Sequence, residues 1–176
     1  KNITGLKMNK ISIQYFKTPV GEMILGSYDN KLCMADWRYR KKRESIDRRV
    51  QKELNAVFVE EESSVLKLAK EELEAYFKGT RNTFDIPLLL IGTQFQKIIW
   101  KEVRQIPFGR TVSYMELAQK IDKEKALRAV ASAVGANAIS IFIPCHRVIG
   151  ADGSLTGYTG GLKAKKRLLE IESNLF

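Results

Sequence analysis

Ile11, Ile13 and Tyr15 are separated by polar neighbours, the period of two that lays one face of a strand on a core. Further apolar stretches, Met23 to Tyr28 and Leu32 to Trp37, flank Asp29-Asn30, a pair that tolerates left-handed backbone, so a hairpin or meander is predicted. The period then lengthens: Leu66, Ala69, Leu73, Tyr76 and Phe77 recur at helical spacing, with Gly79 placed to end the helix. Between them, Arg38, Arg40, Lys41, Lys42, Arg43, Arg48 and Arg49 crowd one segment, which reads as a solvated loop or helix face ahead of a dedicated DNA patch. Thr80 to Ile91 has few periodic cues and contains Pro87, which suggests a linker.

The second half changes character. Thr93 and Gln96 have the spacing of a capping box, Phe95, Ile98, Ile99 and Val103 form an apolar stripe, and Pro107 with Gly109 closes that helix. Ser113 and Glu116 repeat the device for a short helix carrying Met115, Leu117, Ala118 and Ile121; Asp122-Lys123 breaks it before a third helix that runs to about Gly135. Two short helices joined by a tight turn suggest helix-turn-helix. On the third, Ala126, Val130, Ala133 and Val134 fall on one side, while Lys125, Arg128, Ala129, Ser132 and Gly135 fall on the other. That outward face is basic and thin, so its backbone can approach a groove and Arg128 can reach into a base stack; a plain amphipathic surface helix has the same pattern.

Composition narrows the class. Of 176 residues 44% are apolar, 30 are Lys or Arg and 20 Asp or Glu, for a net charge of +10: a globular chain with a polyanionic bias. Residues 92–176 carry 13 basic and 7 acidic side chains, net +6, against 17 and 13, net +4, in residues 1–91. No apolar stretch approaches a membrane span and the Lys/Asn-rich start lacks a signal peptide's apolar run, so a cytoplasmic protein is expected, with no membrane partner. Two cysteines, Cys33 and Cys145, and one histidine, His146, bound the chemistry. No second ligand stands at zinc spacing from any of them, and two free thiols are expected rather than a disulfide.

After Asn137 a continuous apolar run, Ile139 to Ile143 broken only by Ser140, reads as a strand delivering Cys145 at its mouth. A free thiol is only a few per cent thiolate at neutral pH, so a nucleophilic cysteine needs a base or a positive neighbour, and His146 and Arg147 follow at once. Adjacency in a strand points the two side chains to opposite faces; a water bridge or a bend has to bring imidazole to sulfur.

The block from Phe95 to Glu172 resembles the methylated-DNA-protein-cysteine methyltransferases, or O6-alkylguanine-DNA alkyltransferases. The resemblance rests on Ile143-Pro144-Cys145-His146-Arg147-Val148, supported by Ile106-Pro107-Phe108-Gly109, Val112-Ser113-Tyr114, Arg128-Ala129-Val130, Asn137, Thr156-Gly157-Tyr158-Thr159-Gly160-Gly161, and Lys165 with Leu168-Leu169 and Glu172. The chain departs from the family pattern at Ala138, where a Pro commonly follows the Asn, and at Asp122 and Glu124, where Gly and Pro are usual.

The resemblance implies an α+β fold: a small N-terminal sheet-plus-helix domain over residues 1–91 and a C-terminal winged helix-turn-helix-like domain over residues 92–176. It implies direct repair of O6-alkylguanine, and less efficiently O4-alkylthymine, by single-turnover transfer to Cys145, with duplex DNA as partner, a monomer in solution and no cofactor, since the acceptor is the protein itself. Cys145 is then the acceptor, His146 a base acting through water and Glu172 the carboxylate that steadies it. Asn137 ties the recognition helix to the thiol segment, and Tyr114 donates to the guanine N3. Arg128 fills the gap left by the flipped nucleotide, with Lys125, Ala129, Ser132, Gly135, Thr111 and Ser113 against the DNA. Val134, Val148, Tyr158, Thr159 and Lys165 surround the pocket, where the carbonyls of Cys145 and Val148 read the exocyclic amine and the Thr159 N–H meets O6. The rival reading is a lesion-binding or regulatory helix-turn-helix protein without repair, against which an intact Cys145, His146 and Glu172 speak. A cysteine hydrolase is more remote, because nothing in the pocket gives a reason to admit water to an acyl intermediate.

Overall fold

The computed structural model describes residues 9–174. Its first half is a four-stranded sheet in the order β3-β2-β1-β4, built from β1 (Asn9–Thr18), β2 (Gly21–Tyr28), β3 (Lys31–Trp37) and β4 (Ala56–Glu60). The first three form an antiparallel meander, and β4 returns parallel to β1. Asp29 and Asn30 both adopt left-handed backbone, φ 52° and 58°, the pair of conformations whose twist matches a two-residue hairpin. The sheet is buried on both sides. Met23, Leu25, Leu32, Ala35 and Trp37 face α2 (Ser64–Phe77) and the second half of the chain, whereas Ile11, Ile13, Ile24, Cys33 and Met34 pack with Val50, Ala56 and Ile91 on the other face.

The basic segment takes the helical of its two readings, and β4 was not expected. The basic segment winds into α1 (Arg43–Leu54), which buries only Ile46 and Val50, too sparse an apolar stripe to stand out among so many charges. β4 follows directly. The segment 80–91 is extended and stitched to the sheet: Leu32 N–H donates to Pro87 O and Leu89 N–H to Leu32 O, each at 2.9 Å, while the buried Glu72 carboxylate accepts the N–H groups of Asp85 and Ile86.

In the second half, α3 (Gln94–Val103) and α4 (Tyr114–Lys120) both start in complete capping boxes, Thr93 with Gln96 and Ser113 with Glu116. Ile98 does not belong to the buried stripe of α3 and is 47% exposed; Trp100 takes that place, its Nε1–H donating to Ala133 O of α5 (Leu127–Gly135) at 2.8 Å. The turn between α4 and α5 passes through Asp122 at φ 56°, which an aspartate tolerates better than most residues, and a short 3-10 turn at Glu124–Ala126. The predicted strand at Ile139 to Ile143 is not one. Ile141 has φ 73° and Ile143 N–H returns to Ile139 O at 3.0 Å, so this apolar run is a buried turn, set against β3 through Ala35. It feeds a 3-10 turn at Cys145–Arg147, then β6 (Val148–Ile149), parallel to β5 (Val112–Ser113), and finally α6 (Leu162–Asn174). One apolar cluster runs from Met23 and Trp37 through α2 to Val130, Cys145 and Leu168, so the two halves share a core. Among the described residues no helix is long and apolar enough to cross a membrane.

Candidate active site and DNA-facing cleft

A cavity of about 1140 Å³ opens between the two halves, with Cys145 in its wall. The 3-10 turn that carries Cys145 is the bend that adjacent strand residues lack. It lets Cys145 reach the cleft, 4% exposed, while His146 and Arg147 turn inward, 0% and 5% exposed. Asn137, at the end of α5, fixes this turn. Its Nδ2 donates to Ile143 O at 3.0 Å and to Cys145 Sγ at 3.3 Å, and its Oδ1 accepts Ile139 N–H at 2.9 Å. Recognition helix and thiol are thereby one rigid piece.

Behind the thiol lies a buried ionic knot on α6. Glu172 Oε2 is 2.6 Å from His146 Nε2 and accepts from Tyr76 Oη at 2.7 Å and from Arg147 Nη2 at 3.1 Å; Oε1 accepts from Arg147 Nε at 2.7 Å. Burial alone raises the Glu172 carboxyl, but the hydrogen bonds from His146 and Arg147 and the Arg147 charge outweigh it and hold the group down at about 2. An ionised Glu172 takes Nε2–H as a donor, which assigns the His146 tautomer and leaves the Nδ1 lone pair free; Nδ1 is buried and has no protein partner among the described residues. Burial also lowers His146 against the pull of Glu172, so the imidazole rests neutral, able to take a proton. The same burial raises the Cys145 thiol, opposed by the Asn137 N–H, and the resting thiol is protonated.

Tyr114, the first residue of α4, lines the cleft and donates from Oη to Thr156 O over a long 3.4 Å. Burial and the nearby Cys145 raise its phenol, which keeps it a proton donor. Thr156, Tyr158 and Thr159 form a lip of the same cleft, and Val134 of α5 lines it too. Lys165 and Val148 do not line the cleft: both are fully buried, and Lys165 Nζ donates to Val148 O at 2.6 Å and Thr156 O at 3.0 Å, fastening the lip to β6. Its ammonium is pushed down by burial to about 8, offset in part by Cys145.

Arg128 and Gly135 line the cleft from the exposed face of α5; Ala129, Ser132 and Lys125 are exposed on the same side outside it. Thr111 is exposed, against a separate small cavity. Ser113 is 7% exposed, with its Oγ accepting Glu116 N–H in the capping box.

Several residues that spacing did not single out prove central. Tyr76, read only as part of a helix stripe, reaches Glu172 from the first half. Trp37 Nε1–H donates to Tyr158 Oη at 3.2 Å, and Gly160 lies so close that a Cβ there would sit 2.6 Å from Trp37 Nε1. Arg40 and Arg49 reach across to the C-terminal carbonyls of the recognition helix, Gly135 O at 3.2 Å and Ala136 O at 2.9 Å, the end that favours a cation. Three of the seven basic side chains of this segment, Arg40, Arg43 and Arg49, are therefore turned inward.

A helix-turn-helix unit with a buried thiol behind its second helix, backed by a histidine and a carboxylate, defines a class of proteins that joins a nucleic-acid-binding motif to a cysteine site. Comparison with known proteins gives the family. Residues 94–174 match the 6-O-methylguanine DNA methyltransferase DNA-binding domain and residues 11–90 the ribonuclease-like domain of the same family. A methylated-DNA–protein-cysteine methyltransferase of Methanosarcina barkeri is 42% identical over 158 residues, 90% of this chain and 94% of that protein. The inducible enzyme of that name from Bacillus subtilis is 48% identical over 101 residues, 57% of this chain and 56% of its own. Among solved structures, Mycobacterium tuberculosis OGT in complex with DNA superposes with a TM-score of 0.81 at 36% identity, covering 94% of each chain. The chain belongs to the 6-O-methylguanine DNA methyltransferase family.

Proposed function

We propose that this protein repairs O6-alkylguanine, and less efficiently O4-alkylthymine, in duplex DNA by moving the alkyl group once and irreversibly to Cys145. The observation that carries the reading is the Cys145 thiol in the cleft wall, tied to the recognition helix by Asn137 and backed by neutral His146 on ionised Glu172. An O6-alkyl group is buried in stacked DNA, so the nucleotide rotates out, at a cost of about a few kcal/mol. Arg128, exposed on α5 at the cleft edge, is placed to fill the gap.

In the cleft, the Cys145 proton passes through a water to His146 Nδ1, and the imidazolium is stabilised by Glu172. The thiolate attacks the alkyl carbon in line; the S–C bond forms as the C–O6 bond breaks, and its electron pair leaves on the purine. Tyr114 gives its proton at N3, matching the one His146 has taken, so the base departs neutral. The product thioether has no group nearby able to cleave it, and the chain is spent. We divide the work between a DNA-reading and acceptor unit, residues 92–176, and a supporting unit, residues 1–91, in a cytoplasmic protein acting as a monomer.

Titrating a fixed amount of protein with excess methylated duplex tests this. Lesions removed should stop at one per chain; continued turnover contradicts the mechanism.

A further inference from the structure

We propose that the loop between β3 and α1 is a second DNA-contact wall, in which Tyr39, Lys41 and Lys42 grip the backbone of the lesion-bearing strand where its nucleotide turns into the cleft. The inference rests on the repair reading. It comes from how the basic segment is sorted in space. Arg38 pairs with Glu22 at 2.9 Å; Arg40 and Arg43 both pair with the buried Asp36 at 3.0 Å, and Arg49 is spent on the end of α5. These arginines also hold the loop backbone from inside, Arg40 through Lys41 O at 3.3 Å and Arg43 through Trp37 O at 3.1 Å. Of this segment's cations that line the cleft, Lys41 and Lys42 remain outward, both exposed and, among the described residues, paired with no carboxylate. Tyr39 beside them is 77% exposed, the most exposed large apolar side chain among the described residues.

All three line the same cleft as Arg128 of the recognition helix. A nucleotide turned out of a duplex keeps both flanking phosphates, so its strand has to cross the rim of the cavity that receives the base. The recognition helix supplies one rim, through Arg128 and Gly135; the β3–α1 loop supplies another, with two unpaired ammonium groups for phosphates and a tyrosine face for a sugar or a neighbouring base. A loop held from within by buried ion pairs and presenting its cations outward is already organised for that contact, so little ordering is lost on binding.

The test is a titration of a labelled duplex bearing O6-methylguanine at several salt concentrations, using the wild type, the double variant Lys41→Ala/Lys42→Asn and the control Arg48→Ala. Asn is chosen at position 42 because φ is 65° there, and asparagine accepts that backbone. Arg48 is exposed in the same segment but lies outside the cleft. Loss of two phosphate contacts should flatten the slope of log affinity against log salt by about 1.8, at about 0.9 per phosphate, with Arg48→Ala leaving the slope as it is. Tyr39→Ala should weaken binding while keeping the wild-type slope. An unchanged slope in the double variant overturns the proposal. So does equal flattening by Arg48→Ala, which would mean a diffuse field and not a wall. If the wild type takes no methyl group from this duplex, the repair reading fails and this one with it; if it does and the slope stays fixed, only the wall is refuted.

Discussion

Replacing Glu172 by Gln removes the charge at the centre of the buried knot while keeping its size. The carboxyl is held at about 2, against an ordinary value of 4.5, and at 1.36 kcal/mol per pH unit that difference corresponds to about 3 kcal/mol of stability. The side chain is 1% exposed, so solvent screening takes little away. The sign follows from a folded value lying below the unfolded one. The contribution is whole above about 4.5 and fades as pH falls toward 2. Urea denaturation of wild type and Glu172→Gln should therefore differ by about 3 kcal/mol at pH 7 and by less than about half of that at pH 3. The variant should also slow alkyl transfer from duplex and from free alkylguanine alike, because His146 loses the partner that stabilises its charged form. A stability gap that is the same at both pH values, or below about 1 kcal/mol at pH 7, refutes the ionised knot.

Arg128→Ala should slow repair of duplex DNA strongly and cost far less with a free alkylguanine base, which needs no extrusion; equal losses in the two rate measurements would leave Arg128 without its intercalating role. Duplex affinity of the wild type should fall steeply with salt, given a net charge of +6 in residues 92–176, and a flat titration would remove DNA as the main partner. Gly160→Ala forces a Cβ to within 2.6 Å of Trp37 Nε1, so Trp37 has to release Tyr158. Thermal denaturation should register about 1–3 kcal/mol of destabilisation together with slower alkyl transfer, and an unchanged variant would mean that the lip does not depend on Trp37.

What could be read in the sequence was whatever local physics determines. The meander showed in its alternation and its Asp-Asn turn, and α3 and α4 showed in their capping boxes, because each signal lies within a few residues of the element it defines. α1 could be read only as a loop or a helix face, since two buried residues, Ile46 and Val50, leave no apolar period in a field of charge. Ile139 to Ile143 misled for another reason: a short apolar run has the same pattern in a strand and in a buried turn, and only the positive φ at Ile141 separates them. At the site, the family motif singled out Cys145 and His146 as neighbours, but their separation onto cleft and interior depends on the 3-10 turn. Tyr76 with Glu172, 96 residues apart, and Trp37 with Tyr158, 121 apart, could not be paired from spacing at all.

Repair by this chain rests on one of its two cysteines. Cys33 is buried on the far face of the sheet, its thiol pushed by burial up to about 12, whereas Cys145 sits in the cleft wall with a base behind it. The most direct measurement is the intact mass of the protein after exposure to a duplex carrying O6-methylguanine, followed by peptide mapping. The protein should gain a single methyl group, located on Cys145 and abolished by Cys145→Ala. A methyl group found on Cys33, or lesions lost with no change in the mass of the protein, would contradict it.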